Sequence, residues 1–208
     1  KAPITAIALN CENNRDERSR YLLVENRKVE NYVDMALYYA RMDAVYKDYM
    51  IAETNLQEVA QQVLLQNKYY LIQSHVKAEV ACPDTVYSDK KWIAFILNQL
   101  IQNSVKYGRS EGTHIQIVTK KTKSGVLLRV KDDGIGIPKE EIPRIFEKGF
   151  TGTNGRNRER STGMGLYLCR KLCDKLNIEI RAESAEGKGT EIILMFPVSD
   201  YLTGYRET

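Results

Sequence analysis

Between residues 19 and 47, Leu22, Val29 and Ala36 recur at seven-residue spacing, with Val33 and Ala40 between them and charged residues filling the gaps. That period, in a stretch free of Pro and Gly, predicts a long amphipathic helix. Ahead of it, Ile4, Ile7, Ala8 and Cys11 form one apolar stripe and Pro3 suits a first helical turn, so a shorter helix leads in. The polar run Asn13-Asn14-Arg15-Asp16 between the two predicts an antiparallel hairpin. Its apolar seam needs a partner, either another domain or a second copy, and a dimer is the economical expectation.

From about residue 48 the period changes. Val76 to Val80, Ile115/Ile117, Val126/Leu128/Val130, Ile178/Ile180 and Ile192/Leu194/Phe196 alternate with period two, as half-buried strands do. Lys123-Ser124-Gly125 and Gly187-Lys188-Gly189-Thr190 read as hairpin turns. Helical stretches are expected at about 54 to 67, 89 to 107, 139 to 147 and 164 to 176, the second opening with Ser88-Asp89 as capping residues. The fold class expected is α+β, a mixed sheet with helices on one face, preceded by the hairpin. The division falls near Asp48: residues 1-47 form the hairpin and residues 48-208 the sandwich.

Composition narrows the function more than the fold. With 43% hydrophobic and 28% charged residues the 208-residue chain can bury a core. The longest run free of Asp, Glu, Lys and Arg, Trp92 to Val105, is too short and too rich in amides to span a bilayer. Lys and Arg number 31 against 27 Asp and Glu, which excludes a global nucleic-acid footprint, although Arg156, Arg158 and Arg160 cluster locally. Cys11, Cys82, Cys169 and Cys173 are scattered without histidine nearby, implying a reducing compartment and no zinc site. The start at Lys1, with neither initiator Met nor signal peptide, reads as a piece of something longer.

Four features carry candidate chemistry. On the 89 to 107 helix, Gln99, Asn103, Lys106 and Tyr107 share one polar stripe, which is either a solvated face or a ligand face. In Val130-Lys131-Asp132-Asp133-Gly134-Ile135-Gly136-Ile137-Pro138 a strand ends in an acidic pair and turns through two glycines. Such a turn is either a solvated loop or a seat for a flat ligand beside a carboxylate, and Asp132 there could accept from the exocyclic amine of adenine while rejecting the guanine oxygen. Thr162-Gly163-Met164-Gly165-Leu166 directly precedes an apolar-periodic helix, where uncovered backbone N–H groups suit phosphate. The segment from about 148 to 162, with Lys148, Gly149, Gly152 and Gly155 and its three arginines, has the composition of a lid.

Taken in order, these motifs resemble the ATP-binding domain of sensor histidine kinases, in the superfamily shared with gyrase, Hsp90 and MutL. Asn103-Ser104-Val105-Lys106-Tyr107 is similar to the N box, Asp132 to Gly136 to the first glycine box, Ile145-Phe146-Glu147 with Phe150 to the F box, and Thr162 to Leu166 to the second glycine box. The resemblance covers residues 48 to 197. It implies the Bergerat sandwich, with ATP and Mg²⁺ as cofactors. Asn103 is implied to hold the metal, Lys106 to pair with phosphate, Tyr107 to border the nucleotide and Asp132 to read adenine. Gly134, Gly136, Gly163 and Gly165 are implied to let backbone close on the ligand, with Ile137, Met164, Leu166 and Thr190 completing the contacts.

The same resemblance implies transfer of the γ-phosphate to a histidine on the hairpin and relay to an aspartate of a response regulator receiver domain. Lys1-Ala2-Pro3-Ile4-Thr5 resembles the tail of the H box, which places the phosphoacceptor three residues before Lys1; His75 and His114 lie in no such motif. Ala2 stands where kinases that also dephosphorylate their partner carry Thr or Asn, which argues against phosphatase activity. Gln99 occupies a place often held by Asn or Glu; unable to act as a base, it argues against water-activating hydrolysis and resembles the short-sensor branch that responds to cell-envelope antibiotics. The resemblance further implies a homodimer through the hairpin, no nucleic acid partner, and the cytoplasmic portion of a bacterial protein reaching the membrane only through a sensor region outside this chain. The rival readings are an ATP-driven clamp of the same superfamily, a nucleotide-binding pseudokinase that only dimerises, and a serine kinase of the same superfamily acting on an antagonist protein, which the hairpin with its H-box remnant disfavours.

Overall fold

The computed structural model describes residues 2–13, 16–41, 49–153 and 162–198. Helix α1 (Ala2–Asn13) and helix α2 (Glu17–Arg41) run antiparallel, and the Asn26 side chain donates to the Ile4 carbonyl at 2.8 Å across the pair. Asp16 sits ahead of α2 and accepts from the Ser19 N–H at 2.6 Å. The expected end of the long helix at 47 and the boundary at Asp48 lie outside the described residues.

Five strands make the main sheet, in the order β2 (Val76–Ala81), β4 (Thr113–Thr122), β5 (Gly125–Asp132), β7 (Gly189–Pro197) and β6 (Glu179–Ala185). Only the β2–β4 pair is parallel; the others are antiparallel, so the sheet is mixed. Two strands of four residues, β1 (Ala52–Asn55) and β3 (Thr85–Ser88), pair separately. They escape a reading by alternation because four residues hold too few repeats of the period.

Helices α3 (Leu56–Gln66), α5 (Lys90–Lys106) and α6 (Gly165–Lys175) cover one face of the sheet, with the short α4 (Lys68–Gln73) beside β2. Ile93, Ile96, Leu97, Leu100 and Ile101 of α5 recur at helical spacing and are buried against Ile115, Ile117, Leu128, Val130 and Leu194. Fully burying a side chain of this size contributes about 1.5–3 kcal/mol, which fixes α5 on the sheet. Its start is set by Asp89, whose Oδ1 accepts from the Lys91 and Trp92 N–H groups at 2.9 and 3.3 Å and whose Oδ2 accepts from Met50 N at 2.8 Å. It ends at Lys106 with Tyr107 as its cap, and Gly108 beyond it passes so close to β4 that a Cβ would stand 2.3 Å from Thr113 Oγ1.

One expected element is replaced. Residues 139 to 147 do not form a continuous helix: only Ile142–Arg144 is helical, as a single 3₁₀ turn. The chain steps forward by bonds from Glu141 N to Pro138 O, Arg144 N to Glu141 O and Glu147 N to Arg144 O, each reaching back three residues. Pro143 explains the break, since it has no N–H to give and its ring obstructs the carbonyl four residues earlier.

Candidate functional site

Asp132 is the last residue of β5, paired in register with Thr190 of β7 and Ile115 of β4. Its carboxylate is held from three sides. Oδ1 accepts from Gly134 N at 3.0 Å and Thr190 N at 3.1 Å, and Oδ2 accepts from Ser104 Oγ at 2.8 Å. A carboxylate offers about four acceptor positions, so one lone pair on Oδ2 stays available to a ligand donor. Burial pushes the Asp132 pKa above the usual carboxylate value, and the donors from Ser104, Gly134 and Thr190 pull partly against it.

Asp132 opens into a cavity of about 220 Å³. Asn103, Lys106, Tyr107, Gly136, Ile137, Gly163, Gly165, Leu166 and Thr190 line the same cavity, so ten of the twelve residues singled out from the sequence, Asp132 included, converge. Gly134 and Met164 are not on its wall. Asn103 is half-buried, and no hydrogen bond among the described residues occupies its side-chain amide. Lys106 reaches along the neighbouring ring, its Nζ 5.9 Å from the Tyr107 centroid. At the opposite end, α6 begins behind Met164 with no side chain among the described residues capping it, and Gly165 and Leu166 of its first turn line the cavity.

The glycines serve mainly the protein's own close packing. A Cβ on Gly134 would stand 2.5 Å from the Tyr107 carbonyl oxygen, and one on Gly165 would stand 2.8 Å from Gln99 Oε1. Gly136, at φ +70°, combines a left-handed backbone with a Cβ position 2.1 Å from the Ala185 carbonyl oxygen. Gly163 abuts Gly149, whose N–H donates to the Gly163 carbonyl at 3.0 Å, closing the neck of the glycine-bearing basic segment. Residues 154–161 of that segment, including Gly155 and the three arginines, lie outside the described residues. Within it, Phe150 lines the cavity and lies under the Arg144 guanidinium at 4.6 Å.

Two contributions, from Ser104 and α2, are not evident from the sequence pattern, and a third, Gln99, settles which way its polar stripe faces. Ser104 is 4% exposed and binds Asp132; a lone hydroxyl beside the apolar face of α5 is its only signal. Gln99 is 5% exposed, lines the cavity, and leaves its Nε2 without a partner among the described residues. Helix α2 of the hairpin supplies Val24, Tyr32 and Met35 to the cavity wall. It is held there by Tyr38, whose ring packs 4.7 Å from Trp92 and edge-on at 4.5 Å from Phe95, and by Tyr39, whose hydroxyl meets Lys148 Nζ. His75 sits in a left-handed turn at φ 53° before β2, and His114 pairs with Glu79 at 3.2 Å, both away from the cavity.

The residues present suit a magnesium nucleotide. Mg²⁺ takes one or two protein oxygens and completes its shell with phosphate and water, which the single amide of Asn103 matches. No cluster of His, Cys, Asp and Glu that would cage a metal by itself occurs among the described residues.

Comparison with known proteins agrees with this geometry. GraS of Staphylococcus aureus, a sensor protein kinase, is 35% identical over 206 residues, covering 96% of this chain and 58% of GraS. Among solved structures, full-length ShkA in complex with AMPPNP superposes with a TM-score of 0.68 at 19% identity, over 94% of this chain and 43% of that one. The histidine kinase ThkA in complex with the response regulator TrrA gives 0.63 at 21%, over 95% and 57%. Residues 88–200 match the family of histidine kinase-, DNA gyrase B- and HSP90-like ATPases. The match extends over more than half of the chain and takes in Asn103, Asp132 and the α6 N-terminus, and the chain belongs to that family.

Proposed function

We propose that this chain is the catalytic portion of a sensor histidine kinase, binding ATP with Mg²⁺ and passing the γ-phosphate to a histidine. The observation that carries the reading is the polarity of the cavity. A carboxylate with one spare lone pair stands at one end, an uncapped helix start at the other, and an unengaged amide with a lysine between. In this arrangement Asp132 accepts the adenine amine, Lys106 and the α6 N–H groups neutralise phosphate, and Asn103 gives its oxygen to the metal. Mg²⁺, held through the Asn103 side-chain oxygen, would supply positive charge against the phosphates. Gln99 supplies no base for water, which favours transfer over hydrolysis.

The acceptor is expected three residues before Lys1, on the helix that residues 1–47 continue as a hairpin, with residues 48–208 as the ATP-binding unit. There the bond from phosphorus to the β-phosphate oxygen breaks and one to imidazole nitrogen forms. The next acceptor is the aspartate of a response regulator, in line with the complex known for ThkA and TrrA. Ile7, Leu9, Leu22 and Val29 remain exposed on the hairpin, a surface suited to a second copy of the chain. No described helix is long and apolar enough to cross a membrane. The chain spans 58% of the length of GraS, and we place it as the cytoplasmic portion of a bacterial membrane sensor.

Calorimetric titration tests the nucleotide reading. Asp132→Asn turns one acceptor oxygen into a donor against the adenine amine and should weaken Mg-ATP binding by about 1–3 kcal/mol; unchanged affinity removes Asp132 from base recognition. γ-Labelled ATP tests the transfer: the longer protein should take label at the upstream histidine, and label at His75 or His114 of this chain would overturn the assignment.

A further inference from the structure

Three groups pin Asp132, and they come from three segments: Ser104 from α5, Gly134 from the turn after β5, and Thr190 from β7 behind the β6–β7 turn. One side chain joins all three segments. Arg109, just past the end of α5, donates from Nε to the Asp133 carbonyl at 2.7 Å and from Nη2 to the Gly187 carbonyl. The two turns it grips also meet each other, through Gly187 N to Ile135 O at 2.7 Å, while Ile135 N donates to Tyr107 O at 3.0 Å on the α5 side. Arg109 itself is exposed, lies outside the cavity wall and touches no ligand position.

We propose that Arg109 is a positioning residue for purine selection, its forked guanidinium clamping the two turns that aim the Gly134 and Thr190 N–H groups at Asp132. The inference rests on the reading of the cavity as an ATP site. Selection between purines depends on direction: the spare lone pair on Oδ2 attracts the adenine amine and repels the guanine oxygen only while the carboxylate is held in one orientation. Two carbonyls on different turns require a planar donor with separated N–H groups. Lysine is a single point donor and meets one of them at a time.

The experiment measures ATP and GTP dissociation constants for the parent chain, Arg109→Met and Arg109→Lys, with circular dichroism confirming the fold. Arg109→Met should cut the preference for ATP over GTP by about tenfold, the worth of one specified hydrogen bond, with Arg109→Lys in between. A preference kept within about twofold of the parent, or equal weakening of both nucleotides, overturns the proposal, since a merely structural arginine moves stability without moving the ratio. If Arg109→Met does not fold, Arg109→Lys decides by the same ratio. A parent chain that shows no preference for ATP overturns the ATP reading itself, and this inference with it.

Discussion

Removing the Ser104 hydroxyl isolates the charge on Asp132. Ser104→Ala deletes a 2.8 Å hydrogen bond to a carboxylate from a residue 4% exposed and leaves one oxygen of that carboxylate without its protein donor. Hydrogen bonds to charged groups are worth about 1.5–3 kcal/mol, and urea unfolding at pH 8 should show a loss of that order. The loss must depend on pH. Burial already holds the Asp132 pKa above its ordinary value, and the Ser104 hydroxyl acts to lower it, so the variant's pKa lies higher still. Ser104 stabilises only the ionised form. Its contribution is complete while Asp132 is charged in both proteins and disappears as pH falls through the raised folded pKa, so the gap between parent and variant closes on acidification. ATP affinity should also fall off at a higher pH in the variant, because a protonated Asp132 loses its acceptor role. An offset between parent and variant that stays the same from pH 8 down through the titration of Asp132 would mean that the hydroxyl fills space without holding a charge, and the account of Asp132 would fail.

The remaining predictions concern the backbone, the metal and the thiols. Gly136→Ala imposes a side chain at φ +70° with its Cβ 2.1 Å from the Ala185 carbonyl, so strain and overpacking together should cost about 2–4 kcal/mol, read as a lowered thermal midpoint; an unshifted midpoint would show that the turn relaxes freely. Asn103→Ala should reduce the difference in ATP affinity measured with and without Mg²⁺ while the protein stays folded, and an undiminished Mg²⁺ effect would move the metal elsewhere. Cys82, Cys169 and Cys173 are buried, and burial pushes their thiols up, to about 11 for Cys82 and about 12 for Cys173. None should react with a disulfide reagent at pH 8 until denaturant is added; rapid colour from these three in native buffer would contradict their burial.

Residues whose role is encoded locally are legible in the sequence itself. The β4–β5 hairpin, the two faces of α5 and the position of Asp132 at a strand end all follow from period and turn chemistry within a few neighbours. What escapes depends on contacts distant along the chain. Ser104 acquires meaning only because Asp132, 28 positions later, ends its strand beside it. The motif glycines are expected to admit a ligand, yet Gly134 and Gly136 admit the Tyr107 and Ala185 carbonyls, which no local pattern announces. The wall that α2 provides through Tyr32 and Met35 depends on how the hairpin lies, and amphipathic periodicity shows that a face is apolar without showing what it covers. The helix expected over 139 to 147 fails for a reason that is local: Pro143 forbids the bond an α-helix needs there.

A single helix governs both ends of the cavity. Gln99, Asn103 and Lys106 lie along one face of α5, with Gln99 against the start of α6, while Ser104, one residue and about 100° further round from Asn103, turns toward Asp132. Consecutive residues of a buried helix cannot move independently, so the groups proposed for the base and those proposed for metal and phosphate are set at a fixed separation. The glycines serve the same end: Gly134 brings the acidic turn onto the Tyr107 carbonyl at the α5 C-terminus, and Gly165 brings α6 onto Gln99. Two further walls come from outside α5: Phe150, Thr151 and Gly152, next to the bond between Gly149 and Gly163, and the α2 face held by Tyr38 and Tyr39. Tyr32 stands on the α2 wall and Tyr39 of the same helix meets Lys148, so the hairpin touches both the cavity and the start of the basic segment beside it.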